Sequence, residues 1–254
     1  MTSTIYSGLA GRVVLITGGA SGIGAAFVRA FAAQKARVAF LDIDTEAGAA
    51  LVRDVASECG AAPLFVPCDL LDIDALRRAI MEIHGTLGNA AVLVNNAAND
   101  QRQALTEVTP AEFDWTMAVN LRHVFFAAQA VAPAMRARKR GSIINLGSIT
   151  WHAGFADVAA YATAKAGIEG LTRSLARDLG ASGIRVNCLI PGWTMTERQL
   201  AGWVTPEAER EIDRAQCLPG RVMPADIARM ALWPAADDSR MCTSQTWVVD
   251  GGWI

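Results

Sequence analysis

Tyr161 and Lys165 stand four residues apart within Ala159–Leu179, a segment whose pattern predicts a helix, so both side chains project from one face. A phenol with a pKa of about 10 is a poor base at neutral pH. An ammonium beside it stabilises the phenolate and makes it a usable acid/base group. The competing reading of the same spacing is an ordinary helix face, with Lys165 paired to Glu169 one turn on. Ser148 follows the apolar run Ser142–Leu146, where the C-terminal end of a strand would present its hydroxyl to a ligand. Asn120 interrupts a helical run from Thr109 to Arg138, and a polar residue that bends a helix can expose a carbonyl to hold water. Such a set can move a proton to or from an oxygen.

Groups of this kind need a rigid frame, and the hydrophobic pattern supplies one. Short β-branched runs alternate with helical ones. Arg12–Thr17 precedes a helix over Ser21–Lys35. Arg37–Asp42 precedes Thr45–Cys59, with Thr45 as its expected N-cap. Pro63–Cys68 precedes Ile73–His84, and Ala91–Asn95 precedes the Thr109–Arg138 run. Ser142–Leu146 precedes Ala159–Leu179, and Arg185–Ile190 and Gln245–Val249 complete the set. The strands are short and almost wholly apolar, as burial on both faces of a parallel sheet requires. The alternation predicts an α/β fold, a doubly wound seven-stranded parallel sheet forming one domain over residues 1–254. Residues 191–224, with Trp193, Trp203, Pro206, Pro219 and Gly220, read as a long irregular excursion. In such a fold that is a substrate loop or lid, or else a surface excursion without a role. Pro234 sits late in a helical segment and should end or kink it.

Between the first strand and its helix runs Thr17-Gly-Gly-Ala-Ser-Gly-Ile-Gly24. Gly18, Gly22 and Gly24 let the backbone turn sharply, and the helix N-terminus around Ser21 and Ile23 offers oriented N–H groups to a pyrophosphate. Strand, glycine turn, helix, strand is the Rossmann context for a dinucleotide. Asp42 ends the second strand, where a carboxylate accepts hydrogen bonds from adenosine ribose hydroxyls and repels a 2′-phosphate. The next residue, Ile43, offers a phosphate nothing, so NAD is expected and NADP disfavoured. A solvated loop-entry aspartate is the alternative, and Asp44 is near enough to confuse the assignment.

Composition narrows the remaining classes. With 254 residues, 52% hydrophobic and 19% charged, the chain has too much apolar surface to be disordered. A net charge of −2 argues against tracking nucleic-acid phosphates. No run approaches the roughly 18–20 apolar residues of a membrane span, and the N-terminus lacks a signal-peptide pattern. Cys59, Cys68, Cys188, Cys217 and Cys242 are scattered and odd in number, as reduced cytoplasmic thiols would be. His84, His123 and His152 show no zinc-ligand spacing with them, so no metal is expected.

Taken together, these residues resemble the short-chain dehydrogenase/reductase family over about Leu9–Gly252. The glycine turn, Asp69, Asn95-Asn96-Ala97, Asn120, Ser148, Tyr161-x-x-x-Lys165, Asn187, Pro191-Gly192 and the terminal Asp250-Gly251-Gly252 carry the likeness. The resemblance implies an NAD(P)-dependent oxidoreductase acting on CH–OH groups. Tyr161 would be the general acid/base, and Ser148 would orient and stabilise the substrate oxygen. Lys165 would bind the nicotinamide ribose and lower the tyrosine pKa. Asn120 would hold a water leading to solvent. Asp69 and its neighbour Leu70 would meet the adenine, Asn96 would line the cleft, and Pro191, Gly192 and Thr194 would sit by the nicotinamide. Relatives of this kind are usually homotetramers, and the apolar Trp247-Val-Val and Trp253-Ile254 would be a liability on a monomer. One departure is Ala98, where the family usually has glycine, which should narrow the cleft slightly.

Side chains between the motifs suggest the substrate. Asn99, Thr150, Trp151, His152 and Trp193 follow strand ends and suit a polyhydroxylated ring: indole covers C–H faces while amide and hydroxyl groups meet sugar hydroxyls. Each of them also has a purely structural reading, and Arg102 can be a solvated cation. The set is similar to bacterial aldose 1-dehydrogenases of the family, which implies oxidation of a pentose or hexose at the anomeric carbon to the aldonolactone. The rival readings are a secondary-alcohol dehydrogenase or 3-oxoacyl-thioester reductase, and a non-catalytic dinucleotide-binding protein.

Overall fold

In the central strand β1 (Val13–Thr17) side chains alternate between two cores. Val14 and Ile16 pack to one face and Leu15 to the other, all fully buried. That double burial is why the strand shows no apolar/polar alternation. The computed structural model describes residues 4–254. Its sheet is parallel throughout, in the order β3-β2-β1-β4-β5-β6-β7. The other strands are β2 (Arg37–Asp42), β3 (Leu64–Pro67), β4 (Val92–Asn95), β5 (Gly141–Leu146), β6 (Ile184–Pro191) and β7 (Thr246–Val249). The chain steps outward from β1 to β3, then returns to place β4 on the other side of β1. A crevice must open at the strand ends where the direction reverses, at Thr17 and Asn95.

On one face lie α1 (Gly22–Ala33), α2 (Thr45–Cys59) and α9 (Pro224–Ala235), with Phe27, Phe31, Val55 and Ile227 fully buried. On the other lie α3 (Ile73–Leu87), α5 (His123–Ala137) and α6 (Ala159–Gly180), contributing Leu76, Ile80, Val131 and Met135. A buried polar chain ties the second face to the sheet. Asn95 Nδ2 donates to Asn145 Oδ1 at 2.9 Å, and Asn145 Nδ2 donates to Thr172 Oγ1 at 3.0 Å.

Several local expectations need correction. Asp44, not Thr45, caps α2, accepting the Ala47 N–H at 2.9 Å. The interruption at Asn120 is a π-helical turn, Ala118–Arg122, between α4 (Pro110–Met117) and α5. Residues 191–224 are not irregular: they carry α7 (Glu197–Gly202) and α8 (Pro206–Ala215). Thr196 caps α7, and Thr205 caps α8, whose first turn opens with Pro206. Pro234 falls one residue before the end of α9, where its missing N–H removes one helical bond in the last turn and the helix stops. The apolar end of the chain is partly covered. Asp250 accepts N–H bonds from Gly252, Trp253 and Ile254 at 2.8, 3.0 and 2.9 Å, turning Trp253 onto Phe155 and Trp193. Among the described residues, no helix is long and apolar enough to cross a membrane.

Candidate active site

A cavity of about 750 Å³ opens at the β1/β4 switch point. At one end the glycine turn is packed too closely for any other residue. A Cβ at Gly24 would lie 1.8 Å from the Gly18 carbonyl oxygen, and one at Gly18 would lie 2.6 Å from Ala97 Cα. Asn96 holds the turn against β4, its Nδ2 donating to the carbonyls of Thr17 (3.1 Å) and Gly18 (2.7 Å). Ser21 makes no capping bond at the start of α1, so the first-turn amides of this helix face the cavity without a side-chain acceptor. Oriented amides at a helix start fit a pyrophosphate.

Asp42 closes the same end. Its Oδ2 accepts the Ala20 N–H at 2.8 Å and its Oδ1 the Asp44 N–H at 3.0 Å. Two backbone donors fix the carboxylate at the cavity wall with acceptor capacity left on each oxygen. Ile43 is exposed beside it. Asp69, Leu70, Pro191, Gly192 and Thr194 also line the cavity. The Thr194 hydroxyl donates to the Gly192 carbonyl at 3.0 Å. Every residue expected to hold the dinucleotide lines this cavity, and Ala98 lines it too. The donor set fits a nicotinamide dinucleotide.

Ser148, Tyr161 and Lys165 meet in the middle. The Thr150 N–H donates to Ser148 Oγ at 3.3 Å, which leaves the serine proton for the Tyr161 oxygen or a substrate oxygen. Lys165 is buried, and its Nζ donates to the Leu146 carbonyl at 2.8 Å. The alternative surface pair with Glu169 is therefore not formed. Burial brings the lysine down from 10.5 to about 8. The expected depression of the tyrosine is not what this arrangement gives. Burial pushes Tyr161 above the ordinary phenol range and the Asp100 carboxylate adds to this, while hydrogen bonding to Ser148 opposes it. Lys165 lies behind the ring, 5.6 Å from its centroid. Asn120 does not border the cavity. Its Oδ1 accepts the Asn99 N–H at 2.9 Å, and its Nδ2 donates to the carbonyls of Asn99 and Thr116 at 3.0 Å each.

At the other end, Asn99, Thr150 and Trp193 line the cavity as expected of substrate contacts. Trp151 and His152 do not. Their rings stack at 3.7 Å between centroids, and Trp151 Nε1 and His152 Nε2 both reach Glu169 Oε1, at 2.8 and 2.9 Å. Glu169, two helical turns beyond Tyr161 on α6, draws both rings away from the pocket. Sequence reasoning missed Phe155, Arg198 and Gln199, which border it instead. Arg102 is not a solvated cation: its guanidinium lies over Trp203 at 4.4 Å and Trp193 at 5.5 Å. The caps Thr196 and Thr205 were the signals for the two helices of residues 191–224. Nothing local ties α7 to β4.

A doubly wound sheet with this cavity and a Ser–Tyr–Lys cluster midway along it defines a nucleotide-linked oxidoreductase. A family model described as enoyl-(acyl carrier protein) reductase matches residues 18–254. The chain belongs to the short-chain dehydrogenase/reductase family. It is 48% identical to D-xylose 1-dehydrogenase of Caulobacter vibrioides over 253 residues, covering 100% of both chains. It is 47% identical to a probable galactose dehydrogenase of Rhizobium meliloti, covering 99% of this chain and 98% of that one. Among solved structures, a putative gluconate dehydrogenase from Agrobacterium tumefaciens superposes with a TM-score of 0.93 at 28% identity, covering 98% of each chain. A blue fluorescent protein from a metagenomic library, in complex with NADPH, superposes with a TM-score of 0.88 at 36% identity, covering 97% of this chain and 99% of that one.

Proposed function

We infer that the chain is an NAD-dependent aldose 1-dehydrogenase that oxidises the anomeric carbon of a pentose or hexose to the aldonolactone. One observation carries the reading: Ser148, Tyr161 and Lys165 converge on a cavity whose far end carries the Asp42 carboxylate. Full-length likeness to sugar dehydrogenases supports the substrate class. NAD supplies the hydride acceptor. Asp42 accepts bonds from the ribose hydroxyls and opposes a 2′-phosphate. Ser148, its oxygen already accepting the Thr150 N–H, donates its proton to the reacting sugar oxygen. Burial alone raises the Tyr161 pKa, but the positively charged nicotinamide of bound NAD and the Lys165 ammonium behind the ring would favour its phenolate, which takes the anomeric hydroxyl proton. Lys165, at about 8, can hold and release a proton near neutrality, passing it toward a water at the Asn120 turn. Asn120 also positions Asn99 at the substrate end. The protein works in this reading as a cytoplasmic homotetramer on a small neutral substrate, without a metal.

The test is a panel of pentoses and hexoses with NAD and with NADP, read as the reduced-cofactor absorbance. Turnover of an aldose with NAD, and a lactone as first product, are expected. Turnover confined to secondary alcohols or 3-oxoacyl thioesters would support the reductase alternative.

A further inference from the structure

The substrate end of the cavity holds a carboxylate that the chemistry above does not use. Asp100, five residues beyond β4, borders the cavity next to Asn99. Its Oδ2 accepts Gln199 Nε2 at 2.5 Å, and its Oδ1 pairs with Arg198 Nη2 at 3.1 Å. Gln199 Oε1 in turn accepts Trp193 Nε1 at 3.0 Å, and Asn99 Oδ1 accepts Arg198 Nη2 at 3.0 Å. The four side chains of Asn99, Asp100, Arg198 and Gln199 thus join the β4 loop to α7 across the pocket mouth. The other cavity-lining aspartates, Asp42 and Asp69, follow β2 and β3 at the dinucleotide end. Asp100 is the one whose charge reaches Tyr161 and Lys165.

A carboxylate has about four lone-pair sites, and here two protein donors take one on each oxygen. The rest are open to hydroxyl donors, and a charged acceptor holds a hydroxyl more strongly than a neutral one. The same charge disfavours a second anion in a partly enclosed site. Arg198 offsets this only in part, since its guanidinium is half exposed and screened by solvent. We propose that Asp100 is a specificity-determining residue, accepting hydrogen bonds from hydroxyls of a neutral sugar remote from the anomeric carbon and excluding substrates that carry a carboxylate or phosphate. The proposal rests on the aldose reading and names the charge class within it.

The experiment compares galactose with galacturonate, which share an anomeric centre and differ in charge, in the parent enzyme and in Asp100→Asn. The variant keeps the size and one acceptor and loses the charge. The parent should prefer the neutral sugar. Asp100→Asn should lower kcat/KM for galactose about tenfold and shift the galactose-to-galacturonate ratio at least tenfold toward the uronate, with NAD affinity unchanged by calorimetry. General damage to the fold or to α7 would lower both substrates together and leave the ratio alone. An unchanged ratio with aldose turnover intact in the parent overturns the role of Asp100 and spares the aldose reading. No aldose turnover in the parent overturns both.

Discussion

Lys165 stands behind the Tyr161 ring, 5.6 Å from its centroid, with its ammonium bound to the Leu146 carbonyl and not to the phenol oxygen. The lysine is thus fixed by the sheet and the tyrosine by its helix, so that the two can be separated by mutation. Tyr161→Phe should lower turnover by about a hundredfold or more, the scale of a lost acid/base group. NAD affinity measured by calorimetry should be retained, because Lys165 keeps its own anchor. A Phe variant with near-parental turnover rejects Tyr161 as the base.

The i, i+4 spacing made this pair legible, because it depends on one helix alone. Asp42 was legible for the same reason: it is set by strand β2 and the turn beside it. Long-range partners were not. Asp100 and Gln199 are 99 residues apart, and neither sequence neighbourhood names the other. Trp151 and His152 follow a strand end as a pocket residue should. Which way they face was decided by Glu169, on a different element. The helices α7 and α8 were masked by Pro206, Pro219 and Gly220, although Thr205-Pro206 is itself a helix-start signal.

Asp42→Ala should shift the ratio of catalytic efficiencies toward NADP by roughly tenfold, since in the proposed reading the carboxylate meets the ribose and repels a 2′-phosphate. Steady-state kinetics with both cofactors measures it. A ratio that stays put removes Asp42 from the ribose.

His152→Ala should leave kcat/KM for the best aldose within about twofold, because its ring bonds Glu169 outside the cavity. Trp193→Ala should lower it by roughly tenfold or more, since its indole lines the cavity. Kinetics on the two variants side by side decides between pocket and surface; the reverse order would place His152 on the sugar.

His123 is buried within 3.1 Å of the Ala97 carbonyl, and burial drives its pKa from 6.5 to about 4. Nε2 must therefore carry the proton in the neutral ring. The unfolded chain takes up a proton as pH falls below 6.5, while the folded chain resists until about 4. Stability from this residue is thus full above pH 6.5 and is lost between there and pH 4, by up to roughly 3 kcal/mol. Denaturant melts from pH 7 to 4 should show that slope, and His123→Gln should flatten it.

Val248 and Ile254 remain 42% and 46% exposed, and Phe125 on α5 is 42% exposed. We propose that neighbouring copies cover these side chains in a closed assembly. Light scattering at micromolar concentration should give the mass of a tetramer; a monomer mass would reject the assembly.

Trp193 and Trp253 lie 6.4 Å apart between ring centroids, with Phe155 within 6.0 Å of both and the Arg102 guanidinium between Trp193 and Trp203. Three of the seven tryptophans thus gather where α7 meets the pocket. Indole emission depends on the charge and water around the ring, so any displacement of α7 changes the colour and yield of this cluster. The protein carries its own optical gauge of α7, readable in a stopped-flow instrument without a dye or a label. Trp193→Phe would dim the gauge at its centre.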